Sequence, residues 1–222
     1  MKNKTSITIN HSKYLLFLSL IFFIEFLILA IEPYNRQDWL LENVLVFIFI
    51  ISFTLTYKRY PLSKTSLTLI FIFLCLHEIG AHYTYAKVPY DLWIENTFNS
   101  SLNHLLGWER NHFDRLAHFL YGLLIFYPLR EIILKLINIQ KFWGYFIPLN
   151  IIISTSVIFE LFEWAAAEIF GGELGIAYLG TQGDVWDAHK DMLMSLVGAS
   201  IALCLTLLIK RFSVKNNNNT TS

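Results

Sequence analysis

Charge, cysteine and proline are all scarce in this chain. Charged side chains make up 15% of the residues, and the 17 basic and 17 acidic ones cancel, so no global field is available to recruit nucleic acid. The two cysteines, Cys75 and Cys204, fall inside apolar segments, where a thiol packs as a small hydrophobe and reports nothing about redox compartment. No serine or cysteine sits in a recognisable nucleophile motif, which leaves covalent catalysis without support. What fills the chain instead is apolar, with 55% hydrophobic and 16% aromatic residues, far beyond a soluble domain. This is the composition of an integral membrane protein. At about 20 residues per crossing, most of the 222 residues must lie in or against the bilayer, with no room for a separate soluble domain.

The hydrophobic runs predict an all-α fold, a polytopic bundle of six transmembrane helices: Tyr14 to Ile31, Leu40 to Tyr57, Thr65 to Tyr85, Phe113 to Leu136, Phe142 to Ile169 and Val185 to Ile209. Spans one and two are bland apart from Glu25, and the first is too long for a signal-peptide core. Pro128 and Pro148 lie inside the fourth and fifth spans and predict bends there. Residues 1–213 read as one membrane domain, and 214–222 as a disordered polar tail. Between spans three and four, Ile94, Phe98, Leu102, Leu105 and Leu106 recur at helical spacing up to Gly107, with Trp93 and Trp108 at the ends. This pattern predicts an exterior interfacial amphipathic helix. Glycines at 171, 172, 175, 180 and 183 mark a loop before span six, where they can let the backbone approach a ligand closely or simply make turns.

Basic residues in short loops are retained on the cytoplasmic side. Lys2, Lys4 and Lys13 precede span one, Lys58, Arg59 and Lys64 join spans two and three, Lys135 and Lys141 join four and five, and Lys210, Arg211 and Lys215 follow six. All four groups agree, so both termini are expected in the cytoplasm. Each polar residue then has a depth. His77, Glu78 and His82 end span three on the outside, Asp114, Arg115 and His118 begin span four there, Glu160 and Glu163 lie in the outer third of span five, and Asp184, Asp187, His189 and Asp191 open span six.

Residues three, four and seven apart share a helical face, which aligns Glu78 with His82, Asp114 with His118, Glu160 with Glu163, and Asp184 with Asp187 and Asp191. His77 and His189 are off these stripes, and with Glu163 they are expected to support the ligands rather than ligate. Carboxylates gathered at low dielectric repel one another and take up protons unless a divalent metal or an arginine neutralises them. The expected ligands are His82, Asp114, His118, Glu160, Asp184, Asp187 and Asp191. A mixed imidazole and carboxylate set suits zinc or manganese, whereas an all-oxygen subset would suit magnesium. The catalytic candidates are Glu160 or Glu78 as general base, His118 beside them, and Arg115 to hold a phosphate. Asp184, after Gly180-Thr181-Gln182-Gly183, is the expected N-cap of span six. A metal-dependent hydrolase or transferase acting on a lipid-linked or phosphate-containing envelope substrate is the preferred reading. The alternatives are a proton- or cation-coupled transporter, and a binding or assembly protein without chemistry. Membrane lipids are the expected partners, and oligomeric state is not legible.

The runs from His77 to Tyr85, from Asn111 to Gly122, from Phe159 to Trp164 and from Gly180 to Met192 together resemble the uncharacterised bacterial inner-membrane family typified by YjdF. The resemblance covers the last four spans and implies a location in the bacterial plasma membrane. The order of Asp114 and His118, then Glu160 or Glu163, then Asp187 and Asp191 is more faintly similar to VanZ-like proteins.

Overall fold

The computed structural model describes residues 2–137, 139 and 141–219, with side chains in that set except at 2–10, 173–174, 177–178 and 213–219. Among the described residues every regular element is a helix: α1 (Lys2–Leu29), α2 (Arg36–Tyr57), α3 (Lys64–His82), α4 (Tyr90–Phe98), α5 (Leu102–Leu106), α6 (Phe113–Ile137), α7 (Trp143–Phe170), α8 (Gly172–Leu179) and α9 (Asp187–Asn219). The stretches His11–Leu29, Arg36–Tyr57, Lys64–His82, Trp143–Phe170 and Asp187–Phe212 are long and apolar enough to cross a membrane. The 25-residue α6 carries more charge, including Asp114, Arg115, Arg130, Glu131 and Lys135. It can do so because it packs on α3, α7 and α9, so that protein rather than lipid surrounds much of it.

The closest pairing is between α6 and α9, and glycine makes it possible. A Cβ at Gly122 would collide with the carbonyl of Ser195 and lie 2.7 Å from the amide nitrogen of Ala199. One at Gly198 would collide with the carbonyl of Phe119 and lie 2.9 Å from the nitrogen of Leu123. Small residues facing one another let backbones approach, the usual basis of helix association in membranes. Against this crossing, Phe126, Ile152 and Ala199 are fully buried and form an apolar core with Tyr145 and Ala202. A second cluster of Leu18, Leu62 and Leu67 seats α1 against α3. Glu131 of α6 ties down the start of α3, accepting from the Ser63 amide at 2.9 Å and the Ser66 hydroxyl at 2.5 Å.

Three local expectations change. Span three stops at His82, because Thr84 and Tyr85 turn back in the left-handed region (φ 53° and 49°). The single interfacial helix is two, α4 and α5, broken by Asn99 in a left-handed C-cap and restarted by Ser101, whose hydroxyl accepts from the His104 amide. The glycine-rich loop holds a short helix, α8, because Gly175 lets that segment lie against Ala167; a Cβ there would sit 2.8 Å from the Ala167 carbonyl oxygen. The last helix runs to Asn219, and 220–222 lie outside the described residues. In α4 and α5 no residue is buried, and Phe98, Leu105 and Leu106 are more than half exposed, as elements lying at an interface require.

Candidate functional site

The loops that follow α3 and α7 are stitched together above the ends of α6 and α9. The side chain of Gln182 accepts from the Asn111 amide (2.9 Å) and donates to the Asn111 carbonyl (3.0 Å). Asn111 in turn accepts from Phe113 N–H (2.9 Å), capping α6, and donates to the Val88 carbonyl (2.8 Å). These contacts fix Asp114, Arg115 and His118 on the first turns of α6 against Asp187 and Asp191 on the first turns of α9.

The outermost layer is an ion-pair lattice. Arg110 grips Asp187 with a fork, 2.7 Å to Oδ1 and 3.0 Å to Oδ2, and Arg115 reaches the same Oδ1 at 2.8 Å and Asp184 at 2.6 Å. Lys190 closes on Asp184 at 2.5 Å. The Lys190 ammonium, with the Trp186 amide and Arg115 adding, holds the Asp184 carboxyl well below the usual carboxylate range. Burial, followed by the charges of Arg115 and Arg110, lowers His112, which meets Arg115 Nη1 at 3.4 Å. Arg115 is therefore committed to acids instead of standing free for a phosphate. Asp184 lies in the turn before α9, where its Oδ1 accepts from the Trp186 amide, so the expected three-aspartate helical stripe is two aspartates long.

Beneath this lattice lies a second layer with fewer donors. One oxygen each of Asp114, Asp187 and Asp191 comes within 4.8 Å of the others. His118 Nε2 lies 3.2 Å from Glu160 Oε1 and 3.8 Å from Asp114 Oδ1. The other side of the same ring meets a pair of hydroxyls. Ser195 donates to the His118 carbonyl (3.1 Å) and accepts from the Ser156 hydroxyl (3.0 Å). His118 Nδ1 lies 3.3 Å from Ser195 Oγ, and in the neutral tautomer with its proton on Nδ1 it donates there. Nε2 is left facing two carboxylates, with a lone pair unless a further proton binds. Glu160 Oε1 and Asp191 Oδ1 are likewise buried without a hydrogen-bond partner. Such a set needs a cation or protons to be stable at this depth.

Three expected members are elsewhere. His82 turns its Nδ1 to the Leu29 carbonyl (2.7 Å) at the end of α1, because α3 ends at that residue and its ring faces α1. Glu78 is fully buried, but it faces α2, beside Asn43, and is not the base of the α6–α7–α9 group. His189 is exposed and packs edge-on against Trp186, centroids 5.2 Å apart, pointing away from the acids. His77 and Glu163 are buried and border the same cavity as Asp114 and His118. His77 shares a 2.5 Å hydrogen bond through Nδ1 with the hydroxyl of Tyr85, whose ring lies where only Gly80 leaves room; a Cβ there would be 2.6 Å from it. Burial pushes the Tyr85 phenol well above its ordinary value, and the carboxylates of Glu42, Asp114, Glu78 and Glu163 add to this, so the hydroxyl stays protonated.

Residues that sequence reading passed over complete the picture. Asp38, Glu42 and Asn43 on α2 are buried, with Asp38 Oδ1, Glu42 Oε2 and Asn43 Oδ1 unpartnered, so α2 is not bland. Their four-residue spacing after the Asn35 cap was the available signal. Arg110 gave none beyond its nearness in sequence to Asp114.

The profile of a family described as "Predicted membrane protein (DUF2238)" matches residues 14–212. The inner membrane protein YjdF of Escherichia coli strain K12 is 33% identical over 184 residues, covering 82% of each chain. No solved structure matches. Neither sequence match bears on the fainter likeness to VanZ-like proteins. With apolar helices along its length and this relative, the protein is a multi-pass inner-membrane protein, and it belongs to the DUF2238 family of predicted membrane proteins.

Proposed function

We propose that this protein is a divalent-metal-dependent hydrolase or transferase acting at the outer leaflet on a lipid-linked or phosphate-containing envelope substrate. The observation that carries the reading is the His118 ring. Its Nδ1 lies within hydrogen-bond reach of Ser195, and its Nε2 faces Glu160 and Asp114. A histidine whose outer nitrogen is oriented by a hydrogen bond while the other faces carboxylates is how proteins prepare a metal ligand. Asp114 and Asp191 of the aspartate group would hold the ion together with His118, whose Nε2 lies 3.8 Å from Asp114, with zinc or manganese suited to this nitrogen and oxygen set, and bound metal would polarise a phosphoryl or carbonyl oxygen. Glu160, with its unpartnered oxygen, would take a proton from the attacking water. Arg110 and Arg115 hold Asp187 in place, and so fix the rim.

A transport pathway would need polar groups continuing through the bundle. Below Ser156 and Ser195 the space between α6, α7 and α9 is filled by Phe126, Ile152 and Ala199, all fully buried. That plug favours chemistry at one face over passage across the membrane.

Elemental analysis of protein purified in mild detergent without chelators should find stoichiometric metal. Asp191→Asn and Asp114→Asn should lose most of it, whereas Asn99→Ala, in the loop between α4 and α5, should keep it. Equal metal in all of these proteins would end the ligand assignment. Placement at the outer leaflet is tested separately with a periplasm-dependent reporter, which should be active when fused after Asn99 and silent after Lys141. The opposite pattern would move the site to the cytoplasmic leaflet.

A further inference from the structure

A cavity of about 390 Å³ runs down from the polar site between α2, α3, α6 and α7. Its roof is polar, made by His77, Tyr85, Asp114, His118 and Glu163, and its walls are apolar, with Leu45 and Phe49 from α2, Phe73 from α3, and Ile158 and Phe162 from α7. It reaches Ile125 on α6. From Asp114 to Ile125 is eleven residues, or about 16 Å at the helical rise. One leaflet of a hydrocarbon core about 30 Å thick has nearly the same depth. The cavity is also open sideways. α2 leans on α3 and α8 rather than on α7, and Leu45, Phe49, Ile158 and Phe162 at the resulting gap are 37% to 55% exposed.

We infer that this cavity receives a single acyl chain of an outer-leaflet phospholipid, which enters between α2 and α7 and brings its headgroup under the Tyr85–His77 pair and beside Asp114 and His118. Two features distinguish this from a crevice filled passively by bilayer. The ionisable groups are confined to one end, and lower down the Tyr121 and Thr155 hydroxyls satisfy each other at 2.6 Å, so a wholly apolar occupant would leave the roof desolvated, and a wholly polar one would leave the walls uncovered. The roof is also held by strained backbone: Thr84 and Tyr85 both take left-handed φ, and Gly80 leaves room for the Tyr85 ring. Non-glycine residues persist in that region where the surrounding structure fixes them for a purpose. The inference rests on the proposed outer-leaflet chemistry for its headgroup end, since a phosphate among these acids needs a cation to bridge it. The chain end stands on the cavity alone.

The test uses the full chain in nanodiscs of phosphatidylethanolamine and phosphatidylglycerol with a trace of phosphatidylglycerol carrying a diazirine midway along one acyl chain. After illumination, peptide mapping should place label on Phe73, Ile125 or Thr155 inside the cavity as well as on lipid-facing Leu207 and Leu208 of α9. Leu45→Trp, at the exposed mouth, should cut the interior label severalfold and leave the α9 label and the melting temperature unchanged. Label confined to α9, or interior label indifferent to Leu45→Trp, overturns the inference. Metal content measured on the same preparations separates the two proposals. Interior label in a metal-free protein removes the metal-dependent chemistry and leaves the chain site standing, whereas stoichiometric metal without interior label does the reverse.

Discussion

Alanine at Gly198 should lower the melting temperature of the detergent-solubilised protein far more than alanine at Gly144, although both glycines are helical. The new methyl at 198 would meet backbone: the carbonyl of Phe119, and the Leu123 nitrogen at 2.9 Å. At 144 it would meet the tip of Leu134, Cδ2 at 3.0 Å, which can rotate aside. Overpacking a tight contact costs about 1–3 kcal/mol, and more where nothing can yield, while the gain in helix propensity from Gly to Ala is about 1 kcal/mol. The first effect therefore wins at 198 and the second offsets it at 144. Gly122→Ala should behave like Gly198→Ala, and the double variant should cost less than the sum, because one widening of the α6–α9 gap relieves both collisions. The same widening would draw Asp114 and His118 away from Asp191 and Ser195, so these variants should also lose metal. Thermal melts in which Gly198→Ala and Gly144→Ala are indistinguishable would remove the close crossing as the support of the site.

That dependence marks where sequence reading ran out. Asp114, His118, Glu160, Asp187 and Asp191 were legible because acids and imidazoles are expensive in apolar helices and fell at one depth in successive spans. Helical phase was enough to align Asp114 with His118. It could not show that Ser195 meets the His118 ring, because hydroxyls in apolar helices ordinarily bond back to their own turn. Thr54, Thr68, Thr97, Thr155 and Thr206 do that here, and in sequence Ser195 looks no different. The α2 acids were missed for a different reason. A span beginning at Leu40 puts Asp38 in a loop and leaves Glu42 as a lone acid near its end, whereas the Asn35 cap starts the helix at Arg36 and puts Asp38 and Glu42 four apart, both buried in the bundle. His82 leaves the group because α3 ends at that residue, and sequence spacing carries no information on where a helix ends.

Glu160→Gln, His118→Gln and Asp187→Asn, all near-isosteric, should part company. In Asp187→Asn the two guanidinium groups of Arg110 and Arg115 lose the carboxylate that both share, on side chains only 14% and 15% exposed. Removing one member of a buried ion pair costs about 3–5 kcal/mol, of which the amide recovers part through its hydrogen bonds. A clear fall in melting temperature is expected. Glu160 presents the opposite case. Its Oε1 is buried without a hydrogen-bond partner, so in the absence of metal the ionised carboxylate is a liability, and a neutral amide should leave stability equal to or above that of metal-stripped wild type. His118→Gln keeps a polar group beside Ser195 but takes away the nitrogen that faces Glu160 and Asp114, so it should change stability little and abolish metal retention. Stripped wild type is the necessary reference, because bound metal itself stabilises the fold by mass action. If Glu160→Gln and His118→Gln instead melt as low as Asp187→Asn while keeping full metal, the inner layer is scaffold of the same kind as the arginine lattice above it, and the case for a reaction centred on His118 fails.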